Sequence, residues 1–66
     1  MYYSQLRAFH AVATQGGFSK AAEFLNLTQP TLSDQVRKLE RDFDVLLFNR
    51  TSRSVSLTDA GRHLLS

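Results

Sequence analysis

Leu6, Phe9, Val12 and Ala13 recur at helical spacing, which predicts an amphipathic helix from Ser4 to about Gln15. Gly16-Gly17 ends it, because glycine takes the left-handed conformation at a helix C-terminus without a Cβ penalty. Ser19 is the expected N-cap of a second helix, whose inner face is made of Ala21, Ala22 and Leu25. Small residues there let another helix cross closely. Asn26-Leu27 supplies a short turn, and Thr28 is the next N-cap candidate. Pro30 falls in the first turn of a third helix, where its missing N–H costs nothing.

That third helix, Gln29 to about Asp42, carries the sharpest pattern. Leu32, Val36, Leu39 and Phe43 follow one another at intervals of four, three and four residues, a continuous apolar stripe. At roughly 100° per residue, the other side presents Pro30, Asp34, Arg37 and Arg41, with Ser33 and Lys38 at its edges. Its first turns offer short polar side chains and its last turns long cationic ones. A DNA major groove suits that division, with base edges read at the inserted end and phosphates met where the helix leaves. From Phe18 to Phe43 the chain therefore reads as a helix-turn-helix. An ordinary solvated face is the alternative, and this helix alone does not choose between them.

Val45-Leu46-Leu47-Phe48 is a β-prone run, and Val55-Ser56-Leu57 alternates as a half-buried strand does. The loop between them, Asn49 to Ser54, carries Arg50 and Arg53. Together they predict a hairpin wing over about 45–57 with a basic tip, suited to a DNA backbone or an adjacent narrow minor groove. A merely solvated turn is the competing reading. Thr58-Asp59 then caps a last helix that runs through Ala60, Leu64 and Leu65, with Asp59 near its positive end.

With 66 residues the chain holds one domain at most, near the lower end of what folds without staples. The absence of Cys removes disulfides and thiolate metal sites and is compatible with a reducing cytosol. No apolar run approaches the roughly 20 residues of a membrane span, so a soluble, cytoplasmic protein without membrane contact is expected. The net charge of +2 argues only weakly for a polyanionic partner, although the sequence pI is near 9.5. The placement of charge says more: from Leu46 onward Arg50, Arg53 and Arg62 face a lone Asp59. His10 and His63 lie far apart without a third ligand, so neither metal nor cofactor is expected. No glycine elbow flanks Ser19 or Ser33, and there is no room for a substrate pocket, so no enzyme is expected. Phe9, Phe43 and Phe48 sit at apolar-periodic positions and read as core; Phe18 and Phe24 are also read as packing residues.

Ala21-Ala22, Leu25, Gln29-Pro30, Leu32-Ser33, Gln35, Leu39-Glu40 and Leu47-Phe48, continuing through Arg50, Arg53, Val55, Leu57-Thr58 and Ala60-Gly61, resemble the N-terminal domain of LysR-type transcriptional regulators. The resemblance extends over essentially the whole chain. It implies a mainly α winged helix-turn-helix: a three-helix core, a β-hairpin wing and the start of a C-terminal linker or dimerisation helix. The DNA-binding domain would occupy residues 1–58, with the helix-turn-helix at about 18–37, and the linker would begin at 59–66. The resemblance further implies a bacterial transcription factor that binds double-stranded DNA at an inverted repeat, as a homodimer or dimer of dimers. Its small-molecule effector would bind a C-terminal domain that this chain lacks.

Carried over by position, the resemblance implies base or groove-edge contacts from Gln29, Pro30, Thr31, Ser33 and Asp34. It implies backbone contacts around Ser19, Lys38, Arg50 and Thr51, and a wing contact from Arg53. Thr28 at the mouth of the third helix and Arg37 on its exposed side complete the expected DNA-binding set. Asp34 departs from the family, where a basic or neutral polar residue is usual. It could accept a hydrogen bond from a cytosine N4 amino group, or pair within the helix with Arg37 or Lys38. Two rivals to the DNA-binding reading are a winged helix used for protein contacts and an appended domain of an enzyme.

Overall fold

The computed structural model describes residues 2–50 and 55–66, so Thr51 and Arg53, expected at the wing tip, lie outside the described residues. Four helices and one hairpin follow in the order α1 (Tyr2–Gln15), α2 (Phe18–Leu25), α3 (Gln29–Phe43), β1 (Phe48–Arg50), β2 (Val55–Leu57) and α4 (Asp59–Leu65). The core forms where α1, α2 and α3 meet. Leu32, Val36 and Leu39 of α3 are fully buried against Ala8, Phe9, Ala11 and Val12 of α1 and Ala21 and Ala22 of α2. Removing each larger aliphatic side chain from water contributes about 1.5–3 kcal/mol. The buried face of α1 is broader than its large residues suggest, because α1 packs on two helices at once and uses Ala8 and Ala11 between them.

The first three helices end at a residue in the left-handed conformation. Gly16 closes α1 at φ +85°, with its N–H donating to Val12 O at 3.1 Å. Asn26 and Asp44 close α2 and α3 in the left-handed conformation, at φ 60° and 54°. After each, the next N–H reaches back five residues: Leu27 to Ala22 O at 2.8 Å and Val45 to Glu40 O at 3.0 Å. Asn and Asp tolerate this region better than most residues, so both sharp exits are written locally.

Four expectations are corrected. Ser19 is not the N-cap of α2: the helix starts one residue earlier at Phe18, with Gly17 at the cap position and no side-chain cap. Phe18 packs edge-on to Phe48, ring centres 5.7 Å apart, and this contact fixes the helix start. Phe43 continues the apolar stripe of α3 in sequence yet is 50% exposed, at the last residue of the helix before the turn at Asp44. Phe24 is 65% exposed, since Ala21 and Ala22 already fill the inner face of α2.

The fourth correction concerns the wing. The first strand is Phe48–Arg50, not the run beginning at Val45, and it pairs antiparallel with β2 in the register Phe48↔Leu57, Asn49↔Ser56 and Arg50↔Val55. Residues 45–47 are diverted. Val45 N–H closes α3, Leu47 N–H donates to Glu40 Oε2 at 2.8 Å, and Leu46 O and Leu47 O accept from Thr58 Oγ1 and Thr58 N. Phe48 then enters the core, 5.4 Å from the Phe9 ring centre.

Thr58 caps α4 by accepting from Gly61 N at 3.0 Å. Gly61 lies against the 46–47 segment, where an added Cβ would sit 2.2 Å from Leu47 O and 2.9 Å from Leu57 Cδ2. Backbone cannot yield as a flexible side chain does. Gly61→Ala should therefore destabilise the chain by about 1–3 kcal/mol, lowering the thermal midpoint by at least about 4 °C. A circular-dichroism melt at the wild-type midpoint would contradict this packing.

Candidate nucleic-acid interface

The turn between α2 and α3 exposes the polar side of α3 because the opposite side is committed to the core. Thr28, Gln29, Pro30, Thr31, Asp34, Arg37, Lys38 and Arg41 are exposed, and Ser33 is half-buried. Gln29, Pro30, Ser33 and Arg37 line one shallow concavity on this side.

Thr28 is committed to the cap. Its hydroxyl oxygen accepts from Thr31 N–H at 3.3 Å, and its hydroxyl donates to Thr31 Oγ1 at 2.8 Å. A hydroxyl has a single donor, so the proton of Thr31 remains available to face outward. Ser19, displaced from capping, donates to Gln29 Oε1 at 3.5 Å, the outer limit of a hydrogen bond. That contact ties the first turn of α2 to the first turn of α3. With no side-chain cap on α2, its first backbone amides stand open beside Ser19 and Lys20.

The cations divide into paired and unpaired. Lys38 Nζ lies 3.3 Å from Asp34 Oδ2, an (i, i+4) pair in which both side chains are about half exposed, at 48% and 51%. Of the two readings for Asp34, the intrahelical pair is the one formed here. Such an exposed pair contributes only a few tenths of a kcal/mol. Arg50 pairs with Glu40 at 3.3 Å, and Arg62 with Asp59. Among the described residues Arg37 and Arg41 have no carboxylate partner.

Arg50, expected as a loop residue at the tip, is the last residue of β1. Its guanidinium carbon sits 4.8 Å from the ring centre of Phe18. Wing, α2 and α3 thus meet around one side chain. Glu40 organises this meeting, and sequence reasoning assigned it no role. The available signal was its position: four residues after Val36 and next to Leu39, a carboxylate on the rim of the apolar stripe. Among the described residues no cluster of three or more His, Cys, Asp or Glu could hold a metal ion, and no helix is long and apolar enough to cross a membrane.

Residues 3–62 match the family model described as bacterial regulatory helix-turn-helix protein, lysR family. A probable RuBisCO transcriptional regulator of Phaeodactylum tricornutum is 51% identical over 61 residues, which cover 92% of this chain and 20% of that protein. Full-length OxyR of Pseudomonas aeruginosa superposes with a TM-score of 0.92 at 38% identity, over 98% of this chain and 22% of its own. The DNA-binding domain of CbnR, in a crystal structure with DNA, superposes with a TM-score of 0.90 at 38% identity, over 98% of this chain and 74% of its own. The chain thus spans about a fifth of the length of the first of these relatives.

The capping geometry gives a direct check. Thr28→Ala removes the acceptor for Thr31 N–H and should cost about 1 kcal/mol of stability. Thr31→Val keeps that N–H and should cost less. Denaturant titration of both variants measures the difference, and equal losses would remove the cap from Thr28's account.

Proposed function

The chain belongs to the LysR family of bacterial regulatory helix-turn-helix proteins, and from that membership we propose that it is a module that docks on double-stranded DNA with α3 in the major groove. The observation that carries this reading is the two-sided character of α3: Leu32, Val36 and Leu39 fully buried, Gln29, Pro30, Thr31 and Arg37 exposed opposite them. Its likeness to the CbnR domain whose structure holds DNA supports the same placement.

In this arrangement Gln29, Pro30, Thr31 and Ser33 meet base edges, while Thr28 keeps the first turn of α3 in shape. Ser19 and the uncapped amides of α2 meet a phosphate, since a helix N-terminus presents N–H groups and a positive dipole end. Arg37 and Lys38 meet phosphates at the exit of the groove, and Arg50 does so at the base of the wing. Thr51 and Arg53 extend the wing contact along the backbone or into the minor groove. No step of this function is catalytic.

One such module buries only about 600–1,000 Å² on DNA. In the whole protein we place it in a cytoplasmic homodimer or dimer of dimers on an inverted repeat, with half-sites about one helical turn apart or a multiple of it. A small-molecule effector would act through a further domain.

Two measurements test this. Fluorescence anisotropy with a short duplex should show binding at low salt that weakens linearly in log–log form as salt rises. A folded chain that binds no duplex at low salt would leave only the protein-contact use of the fold. Asp34→Ala frees Lys38 from its partner, so mixed-sequence binding should tighten and the salt slope steepen by about 0.9, one further phosphate contact. An unchanged slope, with lost discrimination at a single operator base pair, would instead make Asp34 a reader of cytosine.

A further inference from the structure

Arg50 is held from two sides before any ligand arrives. Its Nη2 lies 3.3 Å from Glu40 Oε1, and its guanidinium stands 4.8 Å over the ring of Phe18. Both supports are themselves anchored. Glu40 is 7% exposed and accepts the Leu47 N–H through its other oxygen at 2.8 Å, while Phe18 packs edge-on to the buried Phe48. A free arginine side chain loses rotamer entropy when it is fixed on a ligand; here the conformation is set in advance. Yet the side chain remains 37% exposed. A guanidinium has five N–H donors, so an ion pair through one nitrogen leaves it able to bind a phosphate.

We propose that Glu40 is the positioning residue of the wing: one carboxylate oxygen fixes where the chain leaves α3, the other aims Arg50 at the DNA backbone beside the first turn of α2. The inference rests on the DNA-docking reading above. It assigns to Glu40 an effect opposite to that of simple electrostatics. Removing a negative charge beside a polyanion should by Coulomb attraction alone raise affinity; loss of a positioning residue lowers it.

The test uses Glu40→Gln, Arg50→Ala and the double variant, by anisotropy on a short mixed-sequence duplex across a salt series. Glutamine keeps one oxygen for the Leu47 N–H and turns an amide donor toward Arg50, so the turn survives while the aim is lost. Circular dichroism establishes that each variant is folded at the working temperature. Glu40→Gln and Arg50→Ala should each weaken binding by about tenfold and lower the salt slope by about 0.9. The double variant should bind as Arg50→Ala does. If Glu40→Gln does not fold, Phe18→Leu removes the ring beneath Arg50 with less change in volume and should give the same lowered slope. A Glu40→Gln chain (or Phe18→Leu in its place) at or above wild-type affinity overturns the proposal. So does an Arg50→Ala chain with the wild-type slope, or losses that add in the double variant. In each of these cases the wild type still binds duplex, whereas a wild type that binds none overturns the docking reading together with this one.

Discussion

A carboxylate that is withdrawn from water must be met by donors, and Glu40 is met by two from the same short stretch of chain. Its partners are the Leu47 N–H at 2.8 Å and the Arg50 guanidinium at 3.3 Å. Leaving such a group unpaired costs several kcal/mol, a large share of what a domain this small has in reserve. The chain after α3 is therefore not free to choose its path. Leu47 must turn its amide inward, which sends Phe48 between Phe9 and Phe18 and sets the hairpin register that follows. The carbonyl of Leu47 then faces Thr58 N–H, and the bare backbone of Gly61 packs beside it. Wing and last helix both inherit their positions from one side chain of α3.

The same economy governs the helix ends. Asn26 and Asp44 reverse the chain within one residue, each in the left-handed conformation and each followed by a hydrogen bond that reaches back five residues. Short, determined turns leave few alternative crossings for three helices that meet through alanines. Ala8, Ala11, Ala21 and Ala22 are all buried where the helices meet, and side chains this small allow close crossings. Close packing by small residues makes the core sensitive to added volume, and Gly61 shows the same constraint at its rim.

Features that depend on a few neighbouring residues were legible in the sequence. Thr28 and Thr58 cap the helices expected of them, Pro30 sits in a first turn, and the stripe Leu32, Val36, Leu39 faces the core. What failed to read depended on partners distant in sequence. Val45 to Leu47 has the composition of a strand, but its amides are claimed by α3, so the strand begins where the last claim ends. Ser19 has the chemistry of a cap, but Phe18 is drawn into the aromatic cluster and starts the helix first. Phe43 keeps the period of the stripe, yet at the last residue of α3 it is only half covered. Glu40 is the instructive case: a charge on the rim of an apolar stripe reads as ordinary polarity until its partners seven and ten residues later are placed.

The exposed side of the helix-turn-helix carries fewer uncompensated charges than its count of cations implies. Lys38 is paired with Asp34 and Arg50 with Glu40, while Arg37 and Arg41 have no carboxylate partner among the described residues. On the docking reading, each internal pair exchanges attraction at a distance for orientation on contact, because a held cation recruits DNA from solution less strongly than a free one but meets its phosphate at a fixed place. On that reading, a module built this way is expected to have modest affinity for arbitrary duplex. On the same proposed reading, discrimination would rest on the polar first turn of α3 and on the spacing between two copies, and neither of these requires a strongly basic domain. A net charge of only +2 is consistent with such a design.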